Sequence, residues 1–315
     1  MLLNIFKTGN AILNYHRICP DNDMSNPNNE LVVSTSKFKE QLIFLKKNYN
    51  LVSLDNLLDF EKNNKFNISI TFDDGYKDNL SYALPILNEL NVPATIYVIT
   101  KFFENDFSIW WCELQDYIWQ NSQNIKFTYN EKKYDFSIKN NIEKLKCFEK
   151  LKKIIKGLNK IEQEIFLKTI TKTKTRKQFK NEFLSKEDLK ILSSNSLITI
   201  GAHTHNHLSL KNLSREECTN EIETSKKVLE NLTSLKVNHF SYPYGTKDDV
   251  GNREFEIVKG LGFKSAVTTS VGRLSKKNLF NLPRIHINQR ASEKVLKLKL
   301  SIYYYFYKNI QEILN

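Results

Sequence analysis

Two stretches of this 315-residue chain carry side chains that could do chemistry together. The first is Ile68-Ser69-Ile70-Thr71-Phe72-Asp73-Asp74-Gly75-Tyr76. Its apolar, partly β-branched run reads as a buried strand that ends in two adjacent carboxylates and a turn glycine. Carboxylates at the end of a buried strand are costly unless something charged holds them. Where the strand ends and twists, both can be aimed at one pocket, one to ligate a metal and the other to act as a base. An Asp-Asp-Gly turn capping the next helix fits these residues equally well. The second stretch, Ile200-Gly201-Ala202-His203-Thr204-His205-Asn206-His207, holds three of the six histidines. His203 and His207 are four apart, which on a helical turn stacks both imidazoles on one face. That is a spacing used for two nitrogen ligands to one divalent metal. A surface histidine cluster is the plainer alternative, but the apolar run Leu197 to Ala202 leads straight into it and favours a pocket edge. Two His and one Asp leave coordination positions open, as a catalytic metal centre requires.

Together these stretches resemble the polysaccharide deacetylase family, the NodB-homology or carbohydrate esterase family 4 enzymes. Thr71-Phe72-Asp73-Asp74-Gly75 is similar to the family's first motif and His203-Thr204-x-x-His207 to its second. Phe240-Ser241-Tyr242-Pro243-Tyr244-Gly245 is a looser match to its third. Tyr15-His16-Arg17 is similar to a feature of the poly-N-acetylglucosamine deacetylase-like branch. The similarity runs from about Ala11 to about Ile287. It implies an α/β fold: a distorted (β/α) barrel, seven strands being more usual than eight. It implies a divalent cation, Zn2+ before others, on Asp74, His203 and His207, with Asp73 as general base. The backbone N–H of Tyr244 would face the oxyanion. Two departures stand out. The arginine that usually opens the third motif and fixes the base is replaced by Ser241, and Arg284 from the last strand is the candidate substitute. The Leu-x-His motif that supplies the acid is not recognisable; His16 and His286 compete for that role, and His16 is preferred.

The elements that must position these residues can be read along the chain. Ala11 to Ile18 reads as the first strand, with His16 at its end, although a core histidine bonded to backbone is the commoner case. Ser36 is a plausible cap for a helix bearing Phe38, Leu42, Phe44 and Leu45. A short strand at Leu51 to Ser53 and a helix from Leu54 through Phe60 precede the Asp-Asp strand. Asn79 to Leu90 reads as a helix kinked near Pro85, and Ala94 to Thr100 as a β-branched strand. Trp110-Trp111 precedes a helix, as core or as a platform for sugar rings, core being favoured. Residues 122–182 are rich in Lys, Asn and Glu and read as an insertion, a hairpin plus helices, on the outside of the barrel with no visible chemistry. Ser185 caps the next helix, with Asp188 in the capping-box position, and Ser214 starts another. His239 reads as structural. Strands at Val237–Phe240, Lys264–Thr269 and Leu282–Ile287 complete an alternation that implies a parallel α/β arrangement in one domain, 1–315. The candidate residues all fall at strand C-terminal ends, where barrel enzymes place their chemistry.

Composition bounds the partners. Forty-seven Lys and Arg against 35 Asp and Glu give a net charge of +12. That suits an anionic membrane surface or an acidic glycan, while no nucleic-acid motif is present and no nucleic acid is expected. Lys and Asn enrichment from AT-rich coding sequence is the blander source of the excess. Cys19, Cys112, Cys147 and Cys218 form no CxxC pair, so a reduced compartment fits. The first residues lack a signal-peptide pattern and no apolar run is long enough to span a bilayer. The expected location is cytoplasmic, with peripheral contact at the inner membrane face. A basic aromatic helix over 292–315, with Leu296, Leu300, Tyr303, Tyr304 and Tyr307 on one side, would make that contact or dock on the barrel; docking is favoured.

The expected function is metal-dependent hydrolysis of the N-acetyl group of a GlcNAc-type amino sugar, in a polysaccharide or glycolipid, with acetate released. A sugar N-deformylase or other amidase would use the same residues. A silent glycan-binding relative is disfavoured, because both aspartates and both motif histidines are present.

Overall fold

The computed structural model describes residues 9–22, 30–59, 66–104, 109–172 and 179–301. The chain opens with β1 (Gly9–Tyr15), followed by the short parallel pair β2 (Arg17–Cys19) and β3 (Val32–Ser34). Then come α1 (Thr35–Asn48), β4 (Asn50–Leu51), α2 (Leu54–Leu58) and β5 (Phe66–Phe72). A π-helical turn over Asn79–Ala83 runs directly into α3 (Leu84–Leu90), and the change of helix type falls next to Pro85, which has no N–H to give to the preceding turn. β6 (Ala94–Val98) and α4 (Trp110–Gln120) follow. Next are the hairpin β7 (Ile125–Tyr129) and β8 (Lys132–Phe136) and the helices α5 (Asn141–Lys156), α6 (Lys160–Thr171) and α7 (Lys186–Ser193). The chain then alternates β9 (Ile198–Ala202), α8 (Arg215–Thr233), β10 (His239–Ser241), α9 (Asn252–Gly260), β11 (Ser265–Val267), β12 (Ile285–His286) and α10 (Glu293–Leu300).

Seven strands run parallel in the order β11-β10-β9-β6-β5-β1-β12, with β4 added beside β5. A parallel bridge from Val267 to Leu282, just ahead of β12, brings the two ends of this path together. The result is a distorted (β/α) barrel. Its strands are buried on both faces, as parallel strands covered by helices must be. In β5 the alternation of side chains sends Ile68, Ile70 and Phe72 outward to the helices, where they join the main core with Leu13, Tyr15 and Phe38. The opposite parity carries Ser69, Thr71 and then Asp73 to the inside. Asn14 of β1 is in register with Thr71 and also with His286 of β12, so the polar residues converge at one end of the barrel. Below them Ile12, Tyr97, Val267 and Leu282 fill the interior. Gly201 is required there, because a Cβ would run into the Tyr97 ring.

Three local readings change. The cap of α1 is Ser34, whose hydroxyl accepts from the Lys37 N–H, and Ser36 lies inside the helix. Trp110 and Trp111 form the first turn of α4 and do not precede it. Residues of the lysine-rich segment do not lie only on the outside. α4, the hairpin, α5 and α6 build a second core around Leu114, Phe127, Phe148, Leu151 and Phe166, and one edge of α5 reaches the barrel mouth. In α10, Leu296 and Leu300 are buried in the main core, so these two leucines are not offered to a membrane. The tyrosines expected beside them, and Phe60 at the expected end of α2, lie outside the described residues.

Candidate active site

The site begins where β5 ends. Asp73 continues the strand, its N–H donating to the Tyr15 carbonyl at 3.1 Å. The chain then turns sharply: Asp74 has φ 74° and Gly75 φ 71°. Asp74 thereby escapes the alternation that would send it to the opposite face from Asp73, and both carboxylates line one cavity of about 380 Å³. Left-handed backbone at a non-glycine residue costs free energy that the surrounding fold must supply. The same device recurs after β9 and β10, at Thr204 (φ 64°), His207 (φ 57°) and Tyr244 (φ 61°).

His203 and His207 do not share a helical turn, as their spacing suggested. They sit on an irregular loop in which the Thr204 hydroxyl accepts from the His207 N–H at 3.0 Å. The loop still brings both rings to Asp74. The His203 Nε2 lies 3.3 Å and the His207 Nε2 3.5 Å from Asp74 Oδ1. The other His203 nitrogen, Nδ1, donates to the Ser241 carbonyl at 2.7 Å, which leaves Nε2 with its lone pair facing the centre. One ligand atom from each of Asp74, His203 and His207 lies within 4.8 Å of the others, and all three residues are buried. Burial drives the His207 imidazole down to about 3, against the pull of Asp74. For His203 burial acts the same way, but the bond to Asp74 and the charge of Asp73 outweigh it and hold the ring above its ordinary value. Two nitrogens and one carboxylate oxygen, buried and converging with no second acid among them, fit a divalent transition metal.

Asp73 is held differently. Arg284 grips it through both terminal nitrogens, at 2.8 and 2.6 Å. The remaining guanidinium contacts go to the Thr268 carbonyl, Asn14 Oδ1, Thr71 Oγ1 and Ser241 Oγ, at 3.0 to 3.3 Å. Asn14 also donates to Asp73 Oδ2 at 3.2 Å. Burial opposes ionisation of Asp73, but the Arg284 charge wins and holds its carboxyl below the usual range.

His16 and His286 face the same cavity, with ring centroids 5.7 Å apart. The His286 Nε2 donates to the Glu30 carbonyl at 2.7 Å, whereas His16 Nδ1 is buried with no hydrogen-bond partner among the described residues. Burial lowers the His16 pKa, with Asp74 and Asp73 pulling the other way. Tyr244 packs against the His207 ring at 4.8 Å, and its carbonyl accepts from the Thr269 hydroxyl at 2.7 Å. Trp111 flanks His207 at 5.0 Å and donates its indole N–H to the Tyr76 hydroxyl at 3.1 Å.

A family model for polysaccharide deacetylase matches residues 61–266. The chain belongs to the polysaccharide deacetylase family. Among curated proteins it is 26% identical over 110 residues to "Putative polysaccharide deacetylase YxkH" of Bacillus subtilis, a match spanning 35% of this chain and 38% of that relative. Among solved structures it resembles the Streptococcus pyogenes deacetylase PplD in complex with acetate. The TM-score is 0.62 at 21% identity, over 93% of this chain and 98% of that one. The polysaccharide deacetylase BC0361 of Bacillus cereus gives 0.61 at 19%, over 94% and 70%. IcaB of Ammonifex degensii gives 0.57 at 17%, over 93% and 97%. At these identities the likeness speaks to the fold. His16 and Arg284 lie outside the span of the family model, and only the fold brings them to the motif residues.

Some residues of the site carry little or no signal of their role in the sequence. Asn14 was visible only as a polar interruption of an apolar strand. Ser241, noted as a departure from the family, makes contact twice, through its carbonyl to His203 and its hydroxyl to Arg284. Phe148, Lys152 and Lys156 of α5 line the cavity, and no local pattern announced them.

Proposed function

We propose that this protein is a metal-dependent de-N-acetylase that removes acetate from a GlcNAc-type residue of a polysaccharide or glycolipid. The observation that carries this reading is the separation of the two neighbouring carboxylates. Asp74 faces two imidazole nitrogens, while Asp73 faces an arginine and belongs to a different partner set. A divalent ion held by Asp74, His203 and His207 would lower the pKa of a water and polarise the acetamide carbonyl. Asp73, oriented by Arg284 and Asn14, receives the water's proton as general base. The Tyr244 backbone N–H donates to the oxyanion that forms as water adds to the carbonyl. His16, entering this step as the imidazolium that the Asp74 and Asp73 charges favour, then gives a proton to the leaving nitrogen. The C–N bond breaks, acetate and a free amine remain, and the proton on Asp73 passes to solvent as the next water enters. His16 suits this role better than His286, whose Nε2 is committed to the Glu30 carbonyl. Acetate bound in the Streptococcus pyogenes relative is in keeping with such a product.

The test is acetate release from a panel of N-acetylated oligosaccharides, comparing the wild type with Asp73→Asn. That change is nearly isosteric and removes the basic oxygen. It should lower kcat by roughly 10²-fold or more while metal content stays unchanged. Equal turnover by the two proteins would take Asp73 out of the mechanism.

A further inference from the structure

We propose that the catalytic cavity contains a subsite for an anionic substituent of the glycan, a carboxylate or a phosphate, and that Lys152 of α5 binds it. This rests on the de-N-acetylase reading above and names the substrate class that reading leaves open.

Phe148, Lys152 and Lys156 follow one another at intervals of four on α5, so they form a single stripe, and all three line the cavity. The stripe is fixed in place at one end. The Lys156 ammonium lies 2.7 Å from Asp249 Oδ2 and 4.7 Å from the centre of the Tyr244 ring. Asp249 is 1% exposed and accepts from Ser209 Oγ at 2.9 Å and from Thr246 Oγ1. The Lys156 carbonyl accepts from Asn212 at 3.2 Å. At the other end Phe148 is buried in the second core. Lys152 stands between these two anchors and cannot drift with a mobile loop.

Of the lysines and arginines lining the cavity among the described residues, Lys152 is the one whose carboxylate partner is exposed and stands outside the cavity. Asp73 is matched by Arg284, Asp74 faces two imidazoles, and Lys156 is matched by buried Asp249. Lys152 pairs with Glu149 at 3.2 Å, one turn back on the same helix, but that carboxylate is 51% exposed. Such a solvent-screened pair gives way readily to an anion that a bound glycan places in the cavity. Among the described residues, Asp73 and Asp74 are the only carboxylates lining the cavity, and each already faces Arg284 or the two imidazoles, so no unmatched carboxylate lies beside Lys152. Lys152 lies four residues, about 6 Å along the helix axis, from Lys156, the residue that covers Tyr244. A charged group there sits on the reacting sugar or on its neighbour, displaced from the acetamide. An ammonium is a compact charge that donates to carboxylate or phosphate oxygens alike.

The experiment uses the full-length, metal-loaded protein at low ionic strength. Acetate release is measured on chitotetraose (neutral), a hyaluronan tetrasaccharide (uronate-bearing) and GlcNAc 1-phosphate. Equilibrium binding of the same three compounds is measured by calorimetry. The wild type should favour at least one charged compound over chitotetraose by about tenfold or more in kcat/KM, and salt should erode that preference. Lys152→Ala should bring the ratio toward one, and Lys152→Glu should invert it; which charged compound responds tells uronate from phosphate. A ratio that Lys152→Glu leaves unchanged, or a preference for the neutral oligosaccharide in the wild type, overturns the subsite. Failure of the underlying reading looks different: no acetate from any compound, but charged ligand still bound and released by Lys152→Glu, keeps the subsite and removes the de-N-acetylase. Neither acetate release nor charge-dependent binding overturns both.

Discussion

Arg284 and Asp73, 211 residues apart in the chain, form a two-pronged ion pair at 2.8 and 2.6 Å inside the barrel. Arg284 is 2% exposed and every direction of its guanidinium is occupied, by Asn14, Thr71, Ser241 and the Thr268 carbonyl. Desolvating two charges is costly, and only this degree of satisfaction repays it. Removing one partner should therefore hurt more than removing both. Arg284→Met leaves Asp73 buried and unmatched and should lose about 3–5 kcal/mol of stability. Arg284→Met combined with Asp73→Asn should recover much of that loss without recovering activity. Denaturant unfolding of the four proteins, arranged as a double-mutant cycle, checks it. Strictly additive losses would mean that the pair does not act as a unit.

The convergence of Asp74, His203 and His207 makes a separate claim about metal. Purified protein should carry about one divalent ion, as a three-ligand catalytic centre does. Asp74→Ala and His207→Ala should each lose the ion and the activity together. Elemental analysis after dialysis gives the result directly, and full occupancy in either variant would reassign the ligand.

His286 sets a pH dependence of stability. Burial pushes its imidazole down to about 4 from the ordinary 6.5; His16, Lys299 and Arg284 push the same way and the Glu30 carbonyl opposes them. The folded pKa lies below the unfolded one, so the unfolded chain takes up the proton first. The contribution is complete above about 6.5 and is lost as pH falls through about 4. A gap of this size corresponds to on the order of 3 kcal/mol. Melting temperatures of metal-free wild type and His286→Asn, followed from pH 7 to pH 4, should converge as the pH drops. A constant difference across that window would show that His286 is not buried neutral.

Much of this site was legible because its carriers are local. The run from Ile68 to Phe72 had to be a parallel interior strand, and the carboxylates that end it had to sit at the barrel mouth. The spacing of His203 and His207 singles them out, although no helical turn joins them. Their convergence comes from a loop with two left-handed residues, Thr204 and His207, and not from a helical turn. No propensity argument anticipates a histidine at positive φ, because tertiary contacts impose it. Arg284 could be proposed only from what Ser241 lacks, and the contact between the two, at 3.0 Å, is the physical form of that exchange. The wall contributed by α5 was illegible for a different reason. Phe148, Lys152 and Lys156 are spaced like any amphipathic edge, and only the docking of the insertion on the barrel turns that edge toward the chemistry.

The same docking leads to the last prediction, which concerns Lys156. Its ammonium joins Asp249 at 2.7 Å and covers the Tyr244 ring at 4.7 Å, so it ties the insertion to the loop that follows β10. That loop is strained at Tyr244 (φ 61°), and Gly245 beyond it (φ 64°) leaves no room for a Cβ against the Thr269 nitrogen, at 2.7 Å. A loop so shaped needs outside support to hold one peptide orientation. If the Tyr244 N–H serves the oxyanion, support lost from Lys156 should appear in the transition state more than in the ground state. Lys156→Met keeps most of the stem and removes the charge. It should lower kcat by about tenfold with KM and metal content little changed, and Lys156→Arg should restore most of the rate. A purely structural lysine would behave otherwise: the melting temperature would fall, but the folded fraction would turn over at the wild-type rate. Steady-state kinetics on the folded variant, read as a split between kcat and KM, separates the two outcomes.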